Sequence, residues 1–234
     1  MNFFFFDTET TGLPNRSQNV PLNDPTQPHI TQLGGILQIG NRDALVINTL
    51  IKPDNWRTLA CGGQIGAIAK ELTGITEEMC EADGIPIRDA MNLFVCAAAN
   101  ADFLVCHNKS FDQQLVMFEY ARLCPEERAS NAFENKPALC TMLKLTPICR
   151  IPKKSGSGTK WPKLQEAYKY LFGTNFSGAH DAIIDIEATR RVFNWCVREG
   201  IFDDDFEKAG YERPLVPDDF EPDILKLAEG EVAK

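Results

Sequence analysis

Four consecutive phenylalanines, Phe3 to Phe6, stand near the start of the chain and are followed at once by acids in the segment NFFFFDTETTG. Successive side chains of an extended strand point to opposite faces of a sheet, so a strand over Asn2 to Asp7 is apolar on both faces. Such a strand lies in the centre of a sheet that is covered by helices on both sides. The segment therefore predicts an α/β fold, and Gly12 and Pro14 mark its end.

The rest of the pattern agrees with a mixed sheet. Further strands are predicted over Ile30 to Ile39, Ala44 to Ile51 and Phe103 to Cys106, and the first two of these form a hairpin that turns at residues 40–43. The segment Ala138 to Leu145 is compatible with a strand or a helix. Helices are predicted over 65–72, 77–82, 87–99, 111–123, 163–172 and 181–198, and loops over 15–28 and 147–162.

Asp7 and Glu9 form the first candidate site, at the end of the buried strand. They are two positions apart and point to the same face, where two close carboxylates repel each other unless a cation or a proton intervenes. Oxygen ligands favour Mg²⁺ or Mn²⁺. The alternative is an ordinary solvated turn, because two acids at this spacing are common.

Asp112, in HNKSFD, follows the short strand at 103–106 and falls in the first turn of a predicted helix. A carboxylate is favoured there by the helix dipole, so Asp112 is either a metal ligand or an ordinary N-terminal helix acid.

Asp185 lies at the edge of the apolar stripe of a helix that follows His180, in HDAIIDIEAT. A buried unpaired charge at that position is costly, which favours a ligand, and His180 precedes the helix and could reach the same place. Asp181 is interpreted as the helix cap. The alternative is a surface acid beside a loop histidine.

The formal net charge is −9, which disfavours tight sequence-independent binding to nucleic acid. The charge is segregated, however. Six bases and no acid occupy residues 144–165, whereas acids dominate after residue 199. A basic patch beside an acidic C-terminal extension is therefore expected. The prolines and clustered acids after Gly200 indicate that this extension is loosely packed. The six bases are Lys144, Arg150, Lys153, Lys154, Lys160 and Lys163.

The eight cysteines include no CxxC pair and several lie in apolar runs, so reduced core cysteines are expected. No apolar run approaches the roughly 20 residues that span a bilayer. The N-terminal run lacks the basic flank of a signal peptide, and a cytoplasmic protein that does not contact a membrane is predicted.

Four segments in order resemble the DEDDh exonucleases, the family that includes the proofreading subunit of bacterial replicative polymerases, oligoribonuclease and RNase T. They are FDTETTGLP from Phe6, LTGIT from Leu72, HNKSFD from His107 and HDAIIDIEAT from His180. The resemblance implies a ribonuclease H-like fold with a five-stranded mixed sheet flanked by helices. It spans nearly all of residues 1–195, and its later part is most similar to bacterial or phage enzymes that act on DNA.

The resemblance also implies roles for individual residues. Asp7, Glu9, Asp112 and Asp185 would hold two divalent cations, and His180 would be the general base. Four further positions would line the pocket for the 3′-terminal nucleotide: Thr10, Leu13, Asn108 and Phe111. One departure is Gln32, where many relatives carry an acid.

The expected activity is a metal-dependent 3′→5′ exonuclease that acts on DNA and releases nucleoside 5′-monophosphates, with the exonuclease domain in residues 1–198 and the extension in 199–234. Nucleic acid is the expected partner, DNA is favoured over RNA, and a polymerase is a candidate protein partner. The alternatives are a 3′→5′ exoribonuclease, which shares the catalytic set, and a non-catalytic nucleic-acid-binding module associated with a polymerase.

Overall fold

A computed structural model describes residues 1–17, 20–53, 64–124 and 135–216. Within these ranges the chain forms one mixed five-stranded sheet in the order β3-β2-β1-β4-β5. The strands β1 and β2 are antiparallel, as are β2 and β3, whereas β4 runs parallel to both β1 and β5. The predicted α/β class and the five-stranded mixed sheet are confirmed. The strands are β1 (Asn2–Thr10), β2 (Ile30–Ile39), β3 (Arg42–Leu50), β4 (Phe103–Cys106) and β5 (Ala138–Cys140).

Helices cover both faces of this sheet. They are α1 (Ala67–Thr73), α2 (Glu77–Asp83), α3 (Ile87–Asn100), α4 (Lys109–Leu123), α5 (Thr141–Cys149), α6 (Leu164–Phe172), α7 (Ala182–Arg198) and α8 (Asp203–Lys208). Phe3 and Phe5 of β1 belong to a core cluster with residues of α5 to α8. Phe4 and Phe6 belong to a second cluster with α3 and α4. All four rings are at most 3% exposed, so β1 is the central strand that its sequence predicts.

The ambiguous segment after residue 138 contains both structures. The strand β5 ends at Cys140 and α5 begins at Thr141. The helix continues through Pro147 to Cys149 and ends at Arg150, which has a left-handed φ of 47°. The predicted loop at 147–162 therefore begins later than expected, with Pro147 accommodated inside the last part of α5.

Gly34 lets α7 lie directly on β2. A Cβ atom at this position would be 2.7 Å from Ile186 Cδ1 and 2.9 Å from Ala182 Cβ, closer than real Cβ contacts. Gly34 is also the register partner of Asp7 in β1. The first turn of α7 is therefore placed beside the acidic end of β1, because no larger side chain separates the helix from the sheet.

Residues 201–216 correct one sequence-based expectation. The chain after Gly200 was predicted to be loosely packed, but Phe202 and Phe206 are at most 1% exposed and complete one core cluster. The ring of Tyr211 packs on Phe103, with centroids 5.3 Å apart. The acid-rich sequence around α8 hides this apolar pair, whose spacing of four residues places both rings on one helix face. Where the domain ends remains a prediction, since residues 217–234 lie outside the described ranges.

The seven described cysteines are free thiols and five are buried, while Cys61 falls outside the described ranges. Among the described helices, none combines the length and the apolar character that crossing a membrane requires.

Candidate active site

Asp7 and Glu9 lie near the C-terminal end of β1 on the face that is covered by α7. Their register partners in β2 are Gly34 and Gln32. Paired residues of an antiparallel sheet point to the same side, so both acids face the short-side-chain position Gly34 and the amide of Gln32. The expectation that Asp7 and Glu9 share a face is confirmed by this register.

Asp112 approaches from the opposite face, in the first turn of α4. Its Oδ1 accepts hydrogen bonds from the Thr8 backbone N, at 3.0 Å, and from Thr8 Oγ1, at 2.8 Å. The parallel strand β4 pairs with β1 only as far as Phe5, so the Thr8 N–H lies beyond the ladder and needs another acceptor. Thr8 was not among the predicted site residues. Its signal in the sequence is a threonine between two acids at the end of a strand.

The N-terminus of α7 brings the third group of residues. Asp181 caps the helix by accepting a hydrogen bond from Ile183 N at 3.1 Å, as predicted, and Asp185 falls in the first turn. His180 adopts a left-handed backbone with φ of 71°, and its N–H donates to Asp185 Oδ2 at 3.1 Å. Asp185 Oδ1 is buried without a hydrogen-bond partner among the described atoms. One oxygen of Asp185 is therefore anchored and the other is available to a ligand.

Glu9, His180 and Asp185 converge, since one ligand atom of each lies within 4.8 Å of the others. Burial, then Asp185 and Asp112, raise the pKa of Glu9 to about 8. Burial is also the main reason why the pKa values of Asp112 and Asp185 rise to about 7. The pKa of Asp7 is raised well above its usual range by burial and then by Asp112, Asp185 and Glu9. Asp7 thus interacts with every other member of the carboxylate set.

These residues fit divalent cations. Every charged group that perturbs the pKa of Asp7 is an acid, and Asp185 Oδ1 is a buried oxygen without a described partner. Desolvated, mutually repelling carboxylates are stabilised by a cation, and an oxygen-rich donor set favours Mg²⁺ or Mn²⁺.

The predicted substrate residues lie at the end of β1, in the turn after it and at the start of α4. Thr10 is buried and its Oγ1 accepts a hydrogen bond from Gly12 N at 2.8 Å, which forms a turn after β1. Leu13 follows this turn and is 84% exposed. Asn108 is the N-cap of α4, with a left-handed φ of 64°, and the half-buried Phe111 packs on the core cluster of that face. Their assignment to a nucleotide pocket stays a prediction.

His107 fixes the segment before α6, and sequence inspection did not assign it this role. Its Nε2 lies 3.0 Å from the Pro162 carbonyl oxygen and its Nδ1 lies 2.8 Å from Thr141 Oγ1. A carbonyl only accepts, so Nε2 carries the proton and Nδ1 accepts from the threonine hydroxyl. Burial lowers the pKa of His107 to about 4, which agrees with a neutral ring.

The next residue after Pro162, Lys163, is close enough to lower the pKa of His180, although burial contributes more. Two other bases of the predicted basic segment are ion-paired, Lys144 with Asp205 and Lys160 with Glu166, each at 2.5 Å.

A family model described as an exonuclease domain of the RNase T type matches residues 4–193. The chain therefore belongs to this exonuclease family, which implies a nuclease that depends on divalent metal. A search among curated proteins found no match.

Solved structures of exonuclease I share the fold. The enzyme from Methylocaldum szegediense, described as moderately thermophilic, is 24% identical with a TM-score of 0.59, over 85% of this chain and 40% of that chain. Escherichia coli exonuclease I in complex with a dT13 oligonucleotide is 16% identical with a TM-score of 0.62, over 85% and 41%. This chain thus spans less than half the length of these relatives. The predicted resemblance to a polymerase proofreading subunit in particular, and with it the polymerase partner, stays a prediction.

Proposed function

We propose that this chain is a 3′→5′ exonuclease that removes nucleoside 5′-monophosphates from the 3′ end of DNA. One observation carries the proposal: ligand atoms of Glu9, His180 and Asp185 converge within 4.8 Å, and burial together with neighbouring acids raises the pKa values of Glu9, Asp185, Asp7 and Asp112. A folded protein tolerates such a concentration of desolvated charge where function requires it.

Asp7, Glu9, Asp112 and Asp185 would hold two divalent cations, Mg²⁺ or Mn²⁺. When bound, such cations stabilise the negative charge that develops on phosphate oxygens and lower the pKa of water. The protein itself orients the carboxylates that would hold these cations. Asp112 is oriented by Thr8, and Asp185 by the His180 amide, so one oxygen of each carboxylate is already fixed by the protein.

His180 is the proposed general base. Burial and Lys163 lower its pKa, so the imidazole is neutral at neutral pH and able to accept a proton. It would take the proton of the attacking water as the bond between phosphorus and the 3′ oxygen breaks. The leaving oxygen then takes up a proton, and the terminal nucleotide departs with its 5′-phosphate.

DNA is the proposed substrate. The fold is shared with Escherichia coli exonuclease I, whose structures contain dT13 and dA16 oligonucleotides. The residues proposed to receive the terminal nucleotide are Thr10, Leu13, Asn108 and Phe111. The side chain of Leu13 supports this, because it follows Glu9 by four residues and presents an exposed apolar surface that a base can contact.

The deciding assay uses DNA and RNA oligonucleotides that carry the label at the 3′ or the 5′ end, with Mg²⁺, Mn²⁺ or EDTA. We expect a ladder that shortens from the 3′ end of DNA in either metal, and no cleavage in EDTA. Preferential degradation of RNA would replace the substrate assignment, and shortening from the 5′ end would reject the polarity.

Substitutions test the residue roles in the same assay. Asp7→Ala and Asp185→Ala should each lower the rate by roughly 10³-fold or more, because each removes charge stabilisation at the reacting phosphate. His180→Ala should lower it by about 10²-fold while calorimetric Mg²⁺ binding persists. Asp204→Asn, at an exposed acid on α8, is the matched control and should leave the rate unchanged. Wild-type turnover by Asp7→Ala or Asp185→Ala would reject the ligand assignment.

A further inference from the structure

Gln32 connects three parts of the fold beside the proposed site. It lies on β2 as the register partner of Glu9, on the face that α7 covers, and it is 8% exposed. Its Oε1 accepts a hydrogen bond from the Ala182 N–H at 3.3 Å, and its Nε2 donates to Asn48 Oδ1 on β3 at 3.0 Å. The side chain therefore joins the sheet to the first residue of α7.

The Ala182 amide is one of the N–H groups that a helix leaves without a partner in its first turn. Asp181 satisfies the amide of Ile183, and the His180 amide is directed to Asp185. Gln32 provides the acceptor for the amide between them. Three backbone amides between residues 180 and 183 are thus bound by side chains, and the acceptor from the sheet is Gln32.

Packing alone does not hold this segment on the side of β3. A cavity of about 300 Å³ separates it from α1 and α2 and is lined by Gln32, Asn48, Thr73, His180 and Asp181, among others. His180 also keeps a left-handed backbone, a conformation that costs a non-glycine residue roughly 1 kcal/mol or more. Ala182 packs on Gly34, whereas His180 and Asp181 line the cavity, so the bond from Gln32 adds a directional restraint on the side where packing is absent.

We propose that Gln32 is a positioning residue that holds the N-terminus of α7 so that Asp185 and His180 remain beside Glu9. Asn48 orients the Gln32 amide by accepting from Nε2, which leaves Oε1 toward Ala182. The proposal rests on the proposed function for its effect on rate, whereas the bond itself is independent of it.

The test compares Gln32→Met, which keeps the length of the side chain but has no acceptor oxygen, with Gln32→Glu, which keeps the acceptor. In metal-free protein, hydrogen exchange of the Ala182 amide is followed by NMR, together with the imidazole resonances of His180. With a dT oligonucleotide and saturating Mg²⁺, kcat and KM are measured separately.

We expect Gln32→Met to speed exchange at Ala182 by about 10-fold or more and to lower kcat by roughly 10- to 100-fold, with KM and the melting temperature little changed. Gln32→Glu should restore Ala182 protection and return kcat to within about threefold of wild type. Asn48→Ala should show a smaller effect in the same direction, because it frees the Gln32 amide to rotate.

Unchanged Ala182 exchange in Gln32→Met would overturn the proposal, as would a wild-type kcat in that variant or equal losses in the Met and Glu variants. A parallel fall in melting temperature and kcat would assign Gln32 a general structural role instead. If wild-type protein cleaves no oligonucleotide, the proposed function fails, while Ala182 exchange and the His180 resonances still decide whether Gln32 positions the helix.

Discussion

Buried and partly buried acids in two regions of this protein have opposite pKa shifts. Glu119 on α4 is 2% exposed, and its Oε1 lies 3.0 Å from both His29 Nδ1 and the Ile30 N–H. Its Oε2 lies 3.1 Å from Arg122 NH1. Hydrogen bonds and charge from these neighbours outweigh burial and lower the pKa of Glu119. At the end of β1 the balance is reversed, and the pKa values of all four site carboxylates are raised.

The difference separates a structural acid from a candidate ligand set. Glu119 is compensated from within the protein, and through Arg122 it also anchors the loop before β2, because the guanidinium donates to the carbonyls of Gln27 and Pro28. The site carboxylates have only partial internal compensation, from Thr8 and the His180 amide. A buried acid stabilises the fold when donors and cationic groups of the protein surround it. A group of acids that surround one another requires a cation or protons from solution.

The largest predicted effect concerns Glu119, the acid whose charge is compensated by neighbouring groups of the protein. Glu119→Ala should lower the free energy of unfolding by about 3–5 kcal/mol, because it removes the acceptor of the buried His29 and Ile30 N–H groups and the anion beside the partly buried Arg122. Chemical denaturation measures the change, and Glu71→Ala on the exposed surface of α1 is the control, with less than about 0.5 kcal/mol expected. A loss for Glu119→Ala as small as that of the control would show that the buried acid contributes little.

The second prediction concerns the site carboxylates and the way in which they make the stability of the protein depend on pH. The folded pKa of Asp185, about 7, exceeds its unfolded value, so the folded state binds the proton more tightly. Stability from this group is complete below the unfolded pKa and is lost as pH rises toward 7. Glu119 has a lowered folded pKa, so its contribution is present above the unfolded value and is lost as pH falls.

In metal-free protein at pH 8, Asp185→Asn should therefore raise stability by roughly 1–3 kcal/mol, an effect opposite in sign to that of Glu119→Ala. Denaturation curves at several pH values, with EDTA or Mg²⁺, measure it. Mg²⁺ should stabilise the wild type more than the variant. Destabilisation of the Asn variant in EDTA would mean that the carboxylate is already compensated.

The smallest predicted effect concerns the lysines of residues 144–165, some of which have an acidic partner and some of which do not. Lys144 and Lys160 have acid partners, whereas Lys153 and Lys154 are exposed and form no ion pair with a described residue. Replacing Lys153 and Lys154 by alanine should weaken DNA binding a few-fold and reduce the slope of log K against log salt by about 1 to 2. Lys144→Ala is the control. An unchanged slope in the double variant would mean that this loop does not contact the phosphates.

The sequence predicts most of the local structure because its signals are local. The phenylalanine run places β1 in the centre of the sheet, and the apolar stripe after Asp181 predicts α7. The acids fall at strand ends and helix starts as expected. The contacts that organise the site join residues far apart in the chain, as with Gln32 and Ala182 or Thr8 and Asp112, and no periodicity encodes them. The burial of Phe202 and Phe206 was accessible from their spacing but obscured by the surrounding acids.

Asp102 has a consequence for how the chain folds during synthesis. Its Oδ2 accepts from the Asn2 N–H at 2.7 Å and its Oδ1 from Tyr211 Oη at 3.0 Å, so one carboxylate ties the beginning of β1 to the segment after α8. A ribosome that adds roughly 5–20 residues per second delivers Asp185 about ten seconds or more after Glu9. The emerging polypeptide thus carries its central strand and two acids for a long interval before the histidine and the last acid can join them. Assembly of the site is a late event, and the junction at Asp102 closes later still.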